Sequence, residues 1–407
     1  MRIGIDAHLV KAQPTGVGKA ITRTISATID AGKAGTGTSG IRQAHAVLSL
    51  PKGGDVPVTG SVDDFVIYAN RQFPRDLDAR AGARVVRTPL IAASRSLRIL
   101  HEALLMPRSV RRDRIDLFYA PGYVFPATLD VPLVLGIYDL NALKFPGLVK
   151  PETARYYKYA LPASARHARL IIAPTHAVAS DIEHILRIPP DRIRVVPLAA
   201  DDKFKVAGSK SAELGTRNSE LGTLNSPYVL FVGNIEPNKN LVRLVEAFYA
   251  ARTHANLPHK LVIAGKRRHR ARELLRTIRL LGCSGAVLFP GYVPDADLPA
   301  LYAGADAFVY PSRAEGFGIP PLEAMLSGTP VITSTDPAVV EVTADGALHV
   351  PADNLPELRS AIERLLTDRA FAAELAVRGR RIAERYTWAE TGHRTLAVLH
   401  EAAGACT

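Results

Sequence analysis

Short apolar runs alternate with amphipathic stretches along this chain, in two successive series parted by one polar interval. In the first series Arg2–Val10 reads as a strand and Val17–Asp30 as a helix with Ile21, Ile25 and Ile29 on one face. Ala31–Gly40, rich in Gly, Thr and Ser, reads as a loop, and His45–Leu50 and Phe65–Ala69 read as strands. Ser94–Arg112 is expected to be helical with a break near Pro107. Leu117–Ala120, Leu133–Ile137 and Leu170–Ala173 are short apolar strands; Ala177–Leu186 is a helix and Ile193–Val196 a strand. In the second series strands are expected at Tyr228–Val232, Lys260–Ala264, Val287–Phe289, Ala307–Tyr310 and Val331–Thr333. Helices at Leu241–Arg252, Ala271–Leu281, Asp297–Ala303 and Pro320–Ser327 come between them.

Strands that alternate with helices form parallel sheets covered on both faces. Two such series predict an α/β protein of two doubly wound, Rossmann-like domains facing each other across a cleft. The expected division is residues 1–205, a connection over 206–227, a second domain over 228–385, and a C-terminal helix over 386–407 that packs back on the first domain. The 407 residues suit two domains, each large enough for a full core. Ligands in such folds sit at the carboxyl ends of the strands.

Composition narrows the picture. Cys283 and Cys406 are the only cysteines and show no metal-ligand spacing, which fits a reducing cytoplasm. Met1–Asp6 reads as a strand rather than a secretory leader, and no apolar run reaches the roughly 18–20 residues of a membrane span. Charge is lopsided: up to Phe204 there are 28 Lys and Arg against 18 Asp and Glu, leaving 23 against 21 for the remainder. Much of the excess is arginine between Arg71 and Arg114. The Arg95–Arg114 region is therefore a candidate surface for anionic membrane lipid. Nucleic acid is not an expected partner, because no zinc-finger spacing, RNA-binding aromatic signature or recognition helix is present.

The candidate chemistry centres on Arg313–Met325, where Glu315 and Glu323 flank two glycines and a double proline. Pro320 and Pro321 suit the first turn of a helix, and Gly316 and Gly318 let the backbone approach a ligand closely. The helix start favours a phosphate. One carboxylate can then reach the reacting end of a phosphorylated ligand while the other reaches a neighbouring group. Gly16-Val17-Gly18-Lys19 resembles a phosphate loop, but Gln13 and Ala20 break the Walker pattern and Ile21 breaks the dinucleotide one. Gly233–Asn240 is a strand–loop–helix junction that places Lys239 near a helix start. Asp295-Ala296-Asp297 is better explained by helix capping than by a metal. The twelve histidines form no ligand pair.

Taken in order, these segments resemble the family-4 retaining glycosyltransferases of the two-domain GT-B type. The resemblance is strongest over Tyr228–Asn240, Leu261–Gly265, Phe289–Asp297 and Tyr310–Pro330, and looser through Gly16–Gly18, Leu133–Leu140 and Ile171–Pro197. It implies a nucleotide-diphosphate sugar as sugar donor, bound mostly by the second domain (228–385), and a glycan or lipid-linked hydroxyl as acceptor on the side of the first domain (1–205), without a metal or other cofactor. On this reading Glu315, assisted by the Gly316, Phe317 and Gly318 amides, contacts the sugar, and Glu323 takes the ribose. Gly16, Gly18, Gly233 and Lys239 hold the diphosphate, and Gly291, Tyr292 and Val293 line the base pocket. Many relatives carry His-Asp after the strand at Leu133–Ile137, where this chain has Tyr138-Asp139, and both residues are carried as candidate catalytic groups. Asn234, Ile235 and Glu236 stand where relatives place an Arg, so Lys239 must carry more of the phosphate charge. The Glu-Pro and later Lys-Asn resemble mannosyl- and rhamnosyl-type members, which implies GDP-mannose. The expected setting is surface polysaccharide or glycolipid assembly at the cytoplasmic face of the inner membrane. Two readings stand beside this one: a silent nucleotide-sugar-binding or scaffold protein, and a sugar-nucleotide epimerase.

Overall fold

Strands apolar at every position belong in parallel sheets with helices on both faces. Leu117–Ala120, Leu133–Gly136, Leu170–Ala173, Ala307–Tyr310 and Val331–Ser334 are buried throughout. The computed structural model describes residues 1–10, 16–33, 63–75, 83–89, 95–126, 128–205, 226–266 and 272–404. The first domain runs β1 (Arg2–Ala7), α1 (Val17–Lys33), β2 (Asp64–Ala69), β3 (Ala83–Arg87), α2 (Arg95–Leu104), α3 (Met106–Arg112), β4 (Leu117–Ala120) and β5 (Leu133–Gly136). It continues with α4 (Asn141–Lys144), α5 (Pro151–His167), β6 (Leu170–Ala173), α6 (His176–Leu186) and β7 (Ile193–Val195). Its seven strands pair in parallel in the order β3-β2-β1-β4-β5-β6-β7.

The second domain runs β8 (Tyr228–Val232), α7 (Leu241–His254), β9 (Lys260–Ala264), α8 (Arg272–Leu280), β10 (Val287–Gly291), α9 (Leu298–Ala303), β11 (Ala307–Tyr310) and α10 (Ile319–Leu326). Then come β12 (Val331–Ser334), α11 (Pro337–Thr343), β13 (Ala347–Val350), α12 (Leu355–Thr367), α13 (Arg369–Ala383) and α14 (Trp388–Ala403). Its six strands are also parallel, ordered β10-β9-β8-β11-β12-β13. In each sheet the strand order reverses at the first strand, and the crevice outside that point is where such folds take ligands. One apolar core packs α1 on the first sheet and continues through the second domain; the opposite face of the first sheet carries its own core around Phe118, Leu135 and Ile171.

The last helix, α14, returns to the first domain. It packs along α1. The Trp388 indole N–H donates to Asp201 at 3.0 Å, and the Thr391 hydroxyl donates to the Pro197 carbonyl at 2.8 Å.

Several elements depart from the sequence reading. β1 stops at Ala7 rather than Val10, because the Asp6 carboxylate accepts from the His8 amide and a turn closes from Val10 to Ala7. α1 runs on to Lys33, three residues into the expected Gly/Thr/Ser loop. The rest of that loop, the expected strand at His45–Leu50 and nearly all of the connection over 206–227 lie outside the described residues. The break expected near Pro107 falls at Leu105, with Pro107 in the first turn of α3, where its missing N–H costs nothing. The edge strand β3 and the helix α5 were not expected; α5 carries an internal Pro162 that hides its periodicity.

Candidate functional site

The connections that follow β1, β5, β8 and β11 all open into one cleft of about 560 Å³ between the two sheets. The second domain supplies most of its polar groups. The chain leaving β11 turns at Gly318, whose φ of +94° is a left-handed conformation that glycine adopts freely, and enters α10 with prolines in the first turn. Glu315 stands before this helix start and Glu323 inside the helix.

Glu315 is already partnered. The Lys239 ammonium donates to its Oε1 at 2.5 Å and to the Tyr310 hydroxyl at 2.8 Å. Burial works against the Lys239 charge, but the Glu315 carboxylate outweighs it and holds the ammonium above lysine's usual range. The Tyr310 phenol is raised by burial and then by Glu315. Lys239 and Glu315 thus form a half-buried pair of no net charge, each the partner the other would otherwise lack.

Glu323 is paired as well. Its Oε2 accepts from the Tyr302 hydroxyl at 2.9 Å. Its Oε1 accepts at 3.1 Å from Lys19, which reaches across the cleft from the first turn of α1. The same ammonium lies 3.2 Å from Asp295 and 3.7 Å from Asp201. Burial raises the Glu323 carboxyl, and Lys19 and Tyr302 pull it back. For Lys19 burial opposes the charge, and Glu323 leads the carboxylates that raise it. Lys203 also binds Asp295. Asp295 is thus an ion-pair partner, and Asp297 opens α9 without a side-chain cap, so the capping explanation of this acidic pair fails.

From the first domain, the Asp139 carboxylate accepts from the Tyr123 hydroxyl at 2.6 Å and from the Asn141 amide at 2.9 Å. Burial raises its carboxyl, Tyr123 and Asn141 lower it, and the nearby Glu315 charge raises it again. Tyr138 lines the cleft, but its hydroxyl is buried toward Tyr119 and Thr24 in the domain core, and burial pushes the phenol up to about 12. The expectation that Tyr138 is a catalytic group finds no support in this geometry, because its hydroxyl points into the domain.

The two domains meet on backbone. A Cβ at Gly316 would lie 1.7 Å from the Tyr138 carbonyl oxygen, so only glycine allows this approach. The Thr175 hydroxyl donates to the Gly316 carbonyl at 3.1 Å. Glu341, on α11, accepts from the His176 and Ala177 amides at 2.8 and 3.0 Å and so caps the start of α6 across the interface.

Among the other expected positions, Gly16, Gly233, Tyr292, Val293 and Gly316–Gly318 line the cleft, whereas Gly18 and Gly291 are set back from it. Phe317 turns its ring into the core against Tyr386, leaving only its backbone for a ligand. Lys266 lies 4.8 Å over the exposed Tyr292 ring, a cation on an aromatic face at the end of β10.

The glycosyl transferases group 1 family matches residues 216–382, and Glycosyltransferase Family 4 matches residues 63–204. O-antigen chain mannosyltransferase B of Escherichia coli is 29% identical over 313 residues, covering 75% of this chain and 81% of that one. The serotype-specific mannosyltransferase WbdA of the same species is 30% identical over 246 residues, which are 60% of this chain and 30% of that longer protein. Sucrose-phosphate synthase of Thermosynechococcus elongatus shares the fold over 99% of both chains, with a TM-score of 0.73 at 17% identity. The chain belongs to the family-4 GT-B glycosyltransferases.

In this glycosyltransferase the residues that sequence reasoning missed are those that hold the expected ones. Lys19 had a signal, because it follows the Gly16-Val17-Gly18 turn that was singled out. Tyr302, Tyr310 and Tyr123 had none, since each lies on another element and meets its carboxylate or lysine only through the fold.

Proposed function

We propose that this enzyme is a retaining hexosyltransferase that moves mannose from GDP-mannose to a hydroxyl of a glycan or lipid-linked acceptor in surface polysaccharide or glycolipid assembly. The observation that carries the reading is the Lys239–Glu315 pair at the cleft floor, beside the N-terminus of α10. A bound diphosphate competes for Lys239 and frees Glu315 to accept from the sugar hydroxyls, so each half of the pair acquires a new partner. Charge-assisted bonds of this kind contribute roughly 1.5–3 kcal/mol each. Negative charge that builds on the departing diphosphate is met by Lys239 and by the free N–H groups of α10. These groups do the neutralising without a metal.

The mannose assignment draws on the O-antigen relatives, which carry the mannosyltransferase name. The setting at a membrane draws on α2 and α3. Leu97, Leu100, Leu104 and Leu105 are exposed large apolar side chains, and Arg108, Arg111, Arg112 and Arg114 are exposed close by. Leucines beside arginines suit the boundary of an anionic bilayer. No described helix is long and apolar enough to cross one.

A panel of nucleotide sugars with lipid-linked and free oligosaccharide acceptors tests the reading. GDP-mannose should support transfer, and Glu315→Ala should lower kcat/KM by about 10³-fold or more. Full transfer in that variant would sink the role given to Glu315. Tight nucleotide-sugar binding with no transfer to any acceptor would favour a silent binding protein.

A further inference from the structure

The second domain holds a further cavity, of about 340 Å³. His259, Asp306 and Pro330 line it, and each immediately precedes a strand: β9, β11 and β12. The cavity therefore lies at the amino ends of these strands, whereas the cleft opens at the carboxyl ends of the sheet. No residue lines both. Helix α13 supplies one wall. Arg369, Ala372, Ala373, Ala376 and Arg380 recur at helical spacing and share the face turned to the cavity. At 1.5 Å per residue the two arginines stand about 16 Å apart along the axis. The alanines between them fill little space, and Leu365, Leu366 and Ala305 add apolar wall.

The polar groups point to a ligand. His259 is 8% exposed, and its Nε2 stands 3.5 Å from Asp306. Its Nδ1 is buried and has no hydrogen-bond partner. A buried ring nitrogen left bare is costly, and a ligand hydroxyl would complete it. The arginines are open to a new partner. Arg369 is exposed and has no ion-pair partner among the described residues. Arg380 donates to Glu384, one turn on, at 3.2 Å, a surface pair that contributes little. Asp306 repels an anion from its own side of the cavity. An anionic group is thus drawn to α13, and a hydroxyl to His259 and Asp306.

We propose that this cavity binds a small organic phosphate that carries hydroxyls, its phosphate held by the arginines of α13 and a hydroxyl by His259. Guanidinium groups match phosphate oxygens in shape and charge. The body of the ligand lies over the alanines, where a sugar ring or a nucleoside finds an apolar floor. The site stands apart from the cleft and does not depend on the transfer reading above.

Isothermal titration of the full chain with mannose 6-phosphate, guanosine monophosphate and inorganic phosphate tests it. At least one of the two esters should bind about tenfold or more tighter than inorganic phosphate. The tighter ester tells whether a sugar or a nucleoside fills the body of the site, and either result supports it. Arg369→Glu reverses the charge at an exposed position outside the core and should weaken that ester about tenfold or more. His259→Leu should bring the ester down to the level of inorganic phosphate. No heat with either ester overturns the proposal, and so does inorganic phosphate binding as tightly as both. Ester binding unchanged in Arg369→Glu would put the phosphate elsewhere, the cleft included, and would overturn it too.

Discussion

The two walls of the cleft are built on the same strand–helix plan and solve opposite problems. The second-domain wall is made of ionised groups held in pairs, with Lys239 on Glu315 and Lys19 crossing to Glu323. The first-domain wall beneath α4 and α5 is made of tyrosines and aliphatic side chains around one carboxylate, Asp139. Paired charges can be re-partnered by a charged ligand at little cost, because the desolvation is already compensated. A wall of rings has no such charges to exchange and suits a neutral partner. On the transfer proposed above, the difference matches the charged substrate to one wall and the neutral one to the other, and it makes the contact between the walls a third determinant.

That contact offers the largest perturbation after loss of Glu315 itself. Gly316→Ala would force the walls apart at the Tyr138 carbonyl, and transfer should fall about 10²-fold, as misplacement by about an ångström does elsewhere. Normal kcat/KM in this variant would show that the walls need not touch. Lys19→Met removes the cation that crosses the cleft and should raise the nucleotide-sugar KM about tenfold, with Lys19→Arg recovering part of it. An unchanged KM would show that Glu323 keeps its place without Lys19.

A smaller effect is readable in pH. Asp336 caps α11 beneath Glu315, and its carboxyl is pushed up to about 6 from 3.8, first by burial and then by the Glu315 charge. Between these values the folded chain holds a proton that the unfolded chain has released, so stability falls as pH rises through that window. The loss is at most about 3 kcal/mol, reduced by whatever solvent reaches the group. Urea unfolding at both ends of the window should show Asp336→Asn with a flatter profile than the wild type; parallel profiles would remove Asp336 as the cause.

The smallest effect is expected at Tyr138. Its hydroxyl is buried in the first-domain core, away from the cleft, so Tyr138→Phe should change kcat by less than about twofold and leave stability level or slightly higher. A large drop in kcat would bring the phenol back into the chemistry.

Much of this was readable in the chain. Strands such as Leu117–Ala120 and Ala307–Tyr310 are apolar at every position, and the two doubly wound sheets follow from that pattern. Glu315, Glu323 and Lys239 stood out because prolines and glycines mark a helix start beside them. The partners were not readable. Lys19 and Glu323 are brought together by an interdomain approach that no local period encodes. Tyr138 looked like a replacement for a catalytic histidine because spacing fixes only the backbone position, whereas the direction of the hydroxyl depends on the cavity left by Thr24 and Tyr119. Helix α5 was lost because Pro162 interrupts the stripe, although packing against its neighbours sustains the helix.

The central claim is that the charged wall binds an activated sugar and transfers it with retention to a hydroxyl presented by the other wall. Proton NMR of the product formed from GDP-mannose, read at its first appearance, tests this most directly. A new glycosidic bond with the α configuration of the sugar donor is expected. A β-linked product, or an epimerised nucleotide sugar with no new glycosidic bond, would contradict it.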